Sequence, residues 1–258
     1  MSIPYFHVDA FTGDGLLGNP AAVCPLDAWL PDAELQRMAA EHNLSETVYF
    51  VREGQKFHIR WFTPAVEVDL CGHATVAAAH VLFHHFAHAG ERLEFQSKSG
   101  VLLVDRQNDL LVLDFPSRTP VRCELPEELR AALPLPPLEC WKSRDYMVVY
   151  ANRADVAALE PDYGWMKKLA AVGIIATAPG RDEDFISRFF APRSGILEDP
   201  VTGSAHCTLV PHWAGLLGKT KLHARQISPR GGELFCELNG DRVRLGGRAK
   251  TYLRGEIL

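Results

Sequence analysis

Leu70-Cys71-Gly72-His73-Ala74-Thr75-Val76-Ala77-Ala78-Ala79-His80-Val81 opens a run, Leu70 to Gly90, with no Asp, Glu, Lys or Arg in 21 residues. Such a run is long enough to cross a bilayer. Five histidines within it, at 73, 80, 84, 85 and 88, would set polar groups along the whole span, at a high cost in lipid. The Ala- and Val-rich segment therefore reads as a helix that is apolar all round and buried inside a protein. A second segment echoes it: Gly203-Ser204-Ala205 follows Asp199 much as Gly72-His73-Ala74 follows Asp69, 131 positions further on.

The echo extends outward. Arg60-Trp61-Phe62-Thr63-Pro64 matches Arg188-Phe189-Phe190-Ala191-Pro192 at a displacement of 128, and Pro31-Asp32 ahead of Leu35 to Ala40 matches Pro161-Asp162 ahead of Trp165 to Ala170 at 130. Downstream, a turn at Asn108-Asp109 corresponds to one at Asn239-Gly240. Matches in the same order at a nearly constant offset, close to half of the 258 residues, indicate a duplication. We read two halves, residues 1–118 and 119–258, joined through the proline-rich stretch Pro116 to Leu138. Each half is expected to hold an early helix (about 32–41 and 162–171), a strand ending at Pro64 or Pro192, an uncharged central helix (about 73–88 and 204–217) and a closing hairpin. The last strand is left free to cross between halves. One very apolar helix per sheet predicts an α+β fold in which each sheet curls around its helix, with a ligand cleft between the halves.

Lys plus Arg number 27 against 32 Asp plus Glu, a net charge of -5, so no chain-wide basic surface for nucleic acid is expected. Met1 to Phe11 has neither a basic nor an apolar signal-peptide region, which suggests a cytoplasmic protein. The six cysteines, at 24, 71, 123, 140, 207 and 236, form no C-x-x-C pair and read as reduced thiols.

Several motifs compete for chemistry. Gly13-Asp14-Gly15-Leu16-Leu17-Gly18 fits a dinucleotide-binding pattern, but Asn19-Pro20 follows at once and leaves no room for the helix that motif opens, so a loop is expected. His80, His84 and His88 share a helical face, yet no carboxylate accompanies them, and no metal site is expected there. No G-x-S-x-G elbow surrounds Ser204, which argues against serine hydrolysis. Gly72-His73 and Gly203-Ser204 fall where the two central helices begin. Their backbone N–H groups are expected to hold a substrate carboxylate without help from any arginine. Glu46, in Asn43-Leu44-Ser45-Glu46, stands between an ending helix and the β-rich Thr47 to Val51, while its counterpart in the second half is Ala176. A carboxylate found in one half only is not required by the fold, which points to a chemical role.

The set Asn43 to Thr47, Phe62-Thr63-Pro64, Leu70 to Thr75 and Glu198-Asp199-Pro200-Val201-Thr202-Gly203-Ser204-Ala205, with Gly18-Asn19-Pro20-Ala21-Ala22-Val23, resembles the phenazine biosynthesis PhzF-like family of isomerases over nearly the whole chain. The resemblance implies a diaminopimelate epimerase-like fold with the active site between two similar halves. It assigns the catalytic glutamate to Glu46 and further polar active-site positions to His73, Asp199 and Ser204; we expect Glu46, His73 and Asp199 to be catalytic, and Ser204, Gly72, Gly203, Asn19 and Cys71 to bind substrate. It also implies a homodimer. Neither metal nor cofactor is expected. Glu46 would take a proton from an activated C–H of a small carboxylate or amino-acid-like substrate, and the same acid, or Asp199 or His73, would return it elsewhere. Related epimerases use one cysteine from each half. Here Cys71 is present but Thr202 precedes Gly203, so a Cys71-assisted racemase is an alternative, and a catalytically inactive binding or scaffold protein is another. The sequence names no substrate.

Overall fold

The structure, a computed structural model, describes residues 2–15 and 17–258. The loop expected over 13–18 therefore lies partly outside the described residues. Two compact units form, Met1–Asp114 with Gly246–Leu258, and Phe115–Leu245.

In the first unit, Ile3–Thr12 pairs antiparallel with Asn19–Leu26, which runs parallel to Glu46–Glu53. Glu46–Glu53 is antiparallel to Lys56–Phe62, and Lys56–Phe62 is parallel to Arg92–Ser97. Gly100–Gln107 then pairs antiparallel with Arg92–Ser97 and with Leu110–Pro116. The long strand Arg242–Ile257 lies along the other edge of Ile3–Thr12, from Ile3 opposite Ile257 to Thr12 opposite Arg248, and also pairs with Leu110–Pro116, closing the sheet. The helix Gly72–His84 packs against this sheet. Every residue from His73 to Phe83 is buried, which explains a sequence with no polar face. The helix Asp32–His42 packs through Leu35, Met38 and Ala39, and the Tyr49 hydroxyl donates to the Leu35 carbonyl at 2.8 Å.

The second unit repeats the order of steps. Tyr146–Val149 is parallel to Ile174–Pro179, Ile174–Pro179 antiparallel to Phe185–Ala191, Phe185–Ala191 parallel to Lys221–Gln226, and Lys221–Gln226 antiparallel to Gly232–Asn239. The parallel steps coincide in register: Phe57 faces Phe95 in one unit and Phe185 faces Ala224 in the other, 128 and 129 residues on. The central helix here is Gly203–Leu217. The fold class is α+β with two pseudo-symmetric halves.

Three boundaries differ from the sequence reading. The first central helix stops at His84, not 88, because residues 84–87 are solvent-exposed and Ala87 adopts a left-handed φ of 48°. His88 thus leaves the helical face it was expected to share with His80 and His84. The helix expected over 162–171 is one turn, Tyr163–Met166. Beyond it the chain tightens into i to i+3 bonds, Lys168 N–H to Trp165 and Leu169 N–H to Met166. Residues 246–258, the last strand that the sequence left free to cross between halves, belong to the first unit because they supply the strand partner of Ile3–Thr12. No helix among the described residues is long and apolar enough to cross a membrane.

Candidate active site

Glu46 starts its strand three residues after Asn43, whose left-handed φ of 49° ends the preceding helix and redirects the chain. The parallel register sets Glu46 opposite Ala21, and Asn19 heads that neighbouring strand. Gly18 makes the entry to Asn19 possible: its φ is +68°, and a Cβ there would collide with the Ala10 carbonyl oxygen. His73 is the second residue of the central helix, and Cys71 caps that helix in extended conformation. The Thr75 hydroxyl donates to the Cys71 carbonyl at 2.6 Å and holds this cap in place.

These elements bring Asn19, Glu46, Cys71, Gly72 and His73 together. His73 Nε2 lies 3.0 Å from Glu46 Oε2, while its Nδ1 lies 3.2 Å from Asn19 Nδ2 and 3.5 Å from Cys71 Sγ. The Ser45 hydroxyl donates to Asn19 Oδ1 at 3.0 Å, and Asn19 is fully buried, so the amide has a fixed seat. Glu46 and His73 meet as an ion pair, off the line that a hydrogen bond needs. Glu46 Oε2 and His73 Nε2 are buried and have no hydrogen-bond partner. Burial by itself disfavours the imidazolium, but the Cys71 sulfur as a hydrogen-bond partner and the Glu46 carboxylate as the counter-charge outweigh it, and the His73 pKa is raised well above the ordinary histidine range. Burial, then the Glu46 charge, push the Cys71 thiol up, so it stays protonated at neutral pH.

Glu46, Cys71 and His73 also present one carboxylate oxygen, one sulfur and one ring nitrogen within 4.8 Å of one another, a set that could hold a metal ion. Binding a metal would require both the thiol and the imidazolium to give up their protons.

The second group of sequence candidates lies in the other unit. Asp199 ends the strand Ile196–Asp199, and Gly203-Ser204 begins the second central helix. The Thr202 hydroxyl donates to Asp199 Oδ2. Gln226 ties the turn together: its amide donates to the Asp199 carbonyl at 2.7 Å and its carbonyl accepts from Thr202 N–H at 2.9 Å. Behind them His206 is buried against the Thr202 carbonyl, and burial pushes its pKa down to about 4. The carboxylate site was expected to need no arginine. An arginine does stand at Ser204: Arg144 donates to Ser204 Oγ at 2.9 Å while its guanidinium also grips the fully buried Asp145 at 3.0 Å. Ser45, Gln226, Arg144 and Asp145 were all missed by the sequence reading. Ser45 carried a detectable signal, since it adjoins Glu46 in a quoted motif; the others carried none.

A closed sheet packed with one central helix in the first unit and the repeated strand order of the second define the diaminopimelate epimerase-like fold. The chain belongs to the phenazine biosynthesis-like family, whose model matches residues 8–255. An uncharacterized isomerase of Pseudomonas aeruginosa is 52% identical over 258 residues, covering 100% of this chain and 99% of that protein. A PhzF-family crystal structure from Enterococcus faecalis superposes with a TM-score of 0.97 at 47% identity, over 100% of both chains. A hydroxyproline epimerase from Agrobacterium vitis shares the fold, with a TM-score of 0.63 at 9% identity over 99% of this chain and 92% of its own. By its family and its relatives the chain is an enzyme of the isomerase class.

Proposed function

We propose that this enzyme is a cofactor-independent isomerase that moves a proton within a small carboxylate or amino-acid-like substrate. The observation that carries this reading is the buried Glu46–His73 ion pair, 3.0 Å apart, neither atom of which makes a hydrogen bond. Glu46 takes a proton from an activated C–H. His73, whose pKa its neighbours raise and whose Nε2 faces Glu46, can deliver a proton to another carbon. Backbone N–H groups at Gly72, where the central helix begins beside this pair, offer donors for a substrate carboxylate and for charge that develops as the C–H bond breaks. Arg144, at Ser204, adds a cation suited to an anionic group. Asp199, held by Thr202 and close to the Gln226 amide, is assigned a supporting acid/base or orienting role.

The 3.5 Å contact between Cys71 Sγ and His73 Nδ1 favours one second reading, a racemase in which His73 activates the Cys71 thiol. The experiment that separates the two is a screen of small acids for deuterium uptake from heavy water, run on the wild type, Glu46→Gln and Cys71→Ala. The first reading requires exchange to be lost in Glu46→Gln and kept in Cys71→Ala. The reverse pattern establishes the second and overturns the first.

A further inference from the structure

Cys123 and Cys140, in the second unit, hold their sulfurs 3.6 Å apart and take no part in either active-site group. Backbone pairing brings them together. Val121–Arg122 lies antiparallel to Glu139–Lys142 with Arg122 opposite Trp141, and Cys123 N–H donates to the Cys140 carbonyl at 2.9 Å. Residues bonded in this way across a ladder have Cα atoms about 5.5 Å apart, inside the roughly 4.4–6.8 Å that a disulfide spans. The sulfurs need to close by about 1.5 Å to bond, which rotation about the two Cα–Cβ bonds can supply. Cys140 is buried and Cys123 half-buried, which makes Cys123 the more accessible of the two to a dissolved oxidant. Burial and then the adjoining Cys123 sulfur push the Cys140 thiol up to about 12, so Cys140 is the sulfur that keeps its proton until it attacks.

We propose that Cys123 and Cys140 form a reversible thiol–disulfide switch, closed by a peroxide. The Cys123 thiolate attacks one peroxide oxygen, the O–O bond breaks, and Cys123 becomes a sulfenic acid as the other oxygen leaves as water. The Cys140 sulfur then attacks Cys123 sulfur and loses its proton, and the sulfenic oxygen leaves as a second water. Two thiols lose two electrons and two protons, and one hydrogen peroxide becomes two waters. A dithiol reductant reverses the bond by exchange. The closed bridge ties the stretch between residues 123 and 140, with its short helix Glu127–Ala132, into a covalent loop.

The test exposes the folded full-length protein to a small excess of hydrogen peroxide, blocks remaining thiols with iodoacetamide, and maps the peptides by mass spectrometry. The proposal requires a Cys123–Cys140 linked peptide, two hydrogens lighter than its separate parts and lost on treatment with dithiothreitol. In Cys140→Ser, Cys123 should instead stop as a sulfenic acid that dimedone traps. Overoxidation of Cys123 beside a free Cys140, a link to any other cysteine, or two unreacted thiols overturns the proposal.

Discussion

Glu46→Gln keeps the side chain's size and removes its charge. Glu46 Oε2 and His73 Nε2 are 3.0 Å apart. Unit charges at such a separation attract by about 5 kcal/mol at an effective dielectric near 20, before the cost of desolvating both groups. Without the anion, burial prevails at His73, and the ring releases its proton instead of remaining an unpaired buried cation. The fold therefore survives and the chemistry does not. General acid/base catalysis contributes about 10²- to 10⁴-fold, so the barrier should rise by about 3–5 kcal/mol. The assay is deuterium exchange into a substrate found in the heavy-water screen, paired with an NMR titration of the His73 ring. The expected result is a loss of exchange of that size, retained substrate binding, and a downward move of the His73 titration. Exchange within about threefold of wild type, less than about 1 kcal/mol in the barrier, would refute the assignment.

Other consequences follow from the same geometry. His206 is held neutral, with a pKa near 4 in the folded state against about 6.5 unfolded, so its contribution to stability is complete above about pH 6.5 and falls as the unfolded chain takes up the proton on acidification. Urea titrations between pH 7 and 4 should show a loss of about 3 kcal/mol that is missing in a folded His206→Gln variant. His73 has the opposite sign: its raised value gives stability that is complete below the unfolded pKa and disappears as pH rises through the folded one, so wild type and His73→Asn should converge in stability at alkaline pH. Arg144→Ala should cost roughly 3 kcal/mol in urea, because it strips the buried Asp145 of its cation; a loss below about 1 kcal/mol would show that other contacts carry that carboxylate. Arg144→Lys, which keeps the charge, should fold and raise KM more than it lowers kcat. Gly18→Ala should destabilise by about 1–3 kcal/mol, measured by thermal melting, because both its φ and its contact with the Ala10 backbone oppose a Cβ.

Much of the architecture was legible because it is written in local pattern. The uncharged segments from Leu70 and Gly203 onward could only be helices wrapped by other chain, and the constant offset between Arg60-Trp61-Phe62 and Arg188-Phe189-Phe190 exposed the duplication. The helix starts at Gly72 and Gly203 were likewise legible, as was the strand start at Glu46. The ends of elements were not. His84 stops its helix where burial stops, and burial is a property of the surrounding sheet, not of the neighbouring residues.

The sequence by itself determined which elements form, that they form twice, and that a single unmatched carboxylate sits at the start of a strand. Periodicity and turn chemistry act over a few residues, and that range suffices for these decisions. Only the tertiary structure decided what Glu46 faces. His73 is 27 positions away, Asn19 reaches His73 across 54, and Arg144 reaches Ser204 across 60. Such pairs depend on strand register and on how a sheet meets its helix, where a shift of one residue turns a side chain to the opposite face. The charge states follow in turn, since the high pKa of His73 and the protonated thiol of Cys71 arise from burial and from neighbours that only the folded chain brings within reach.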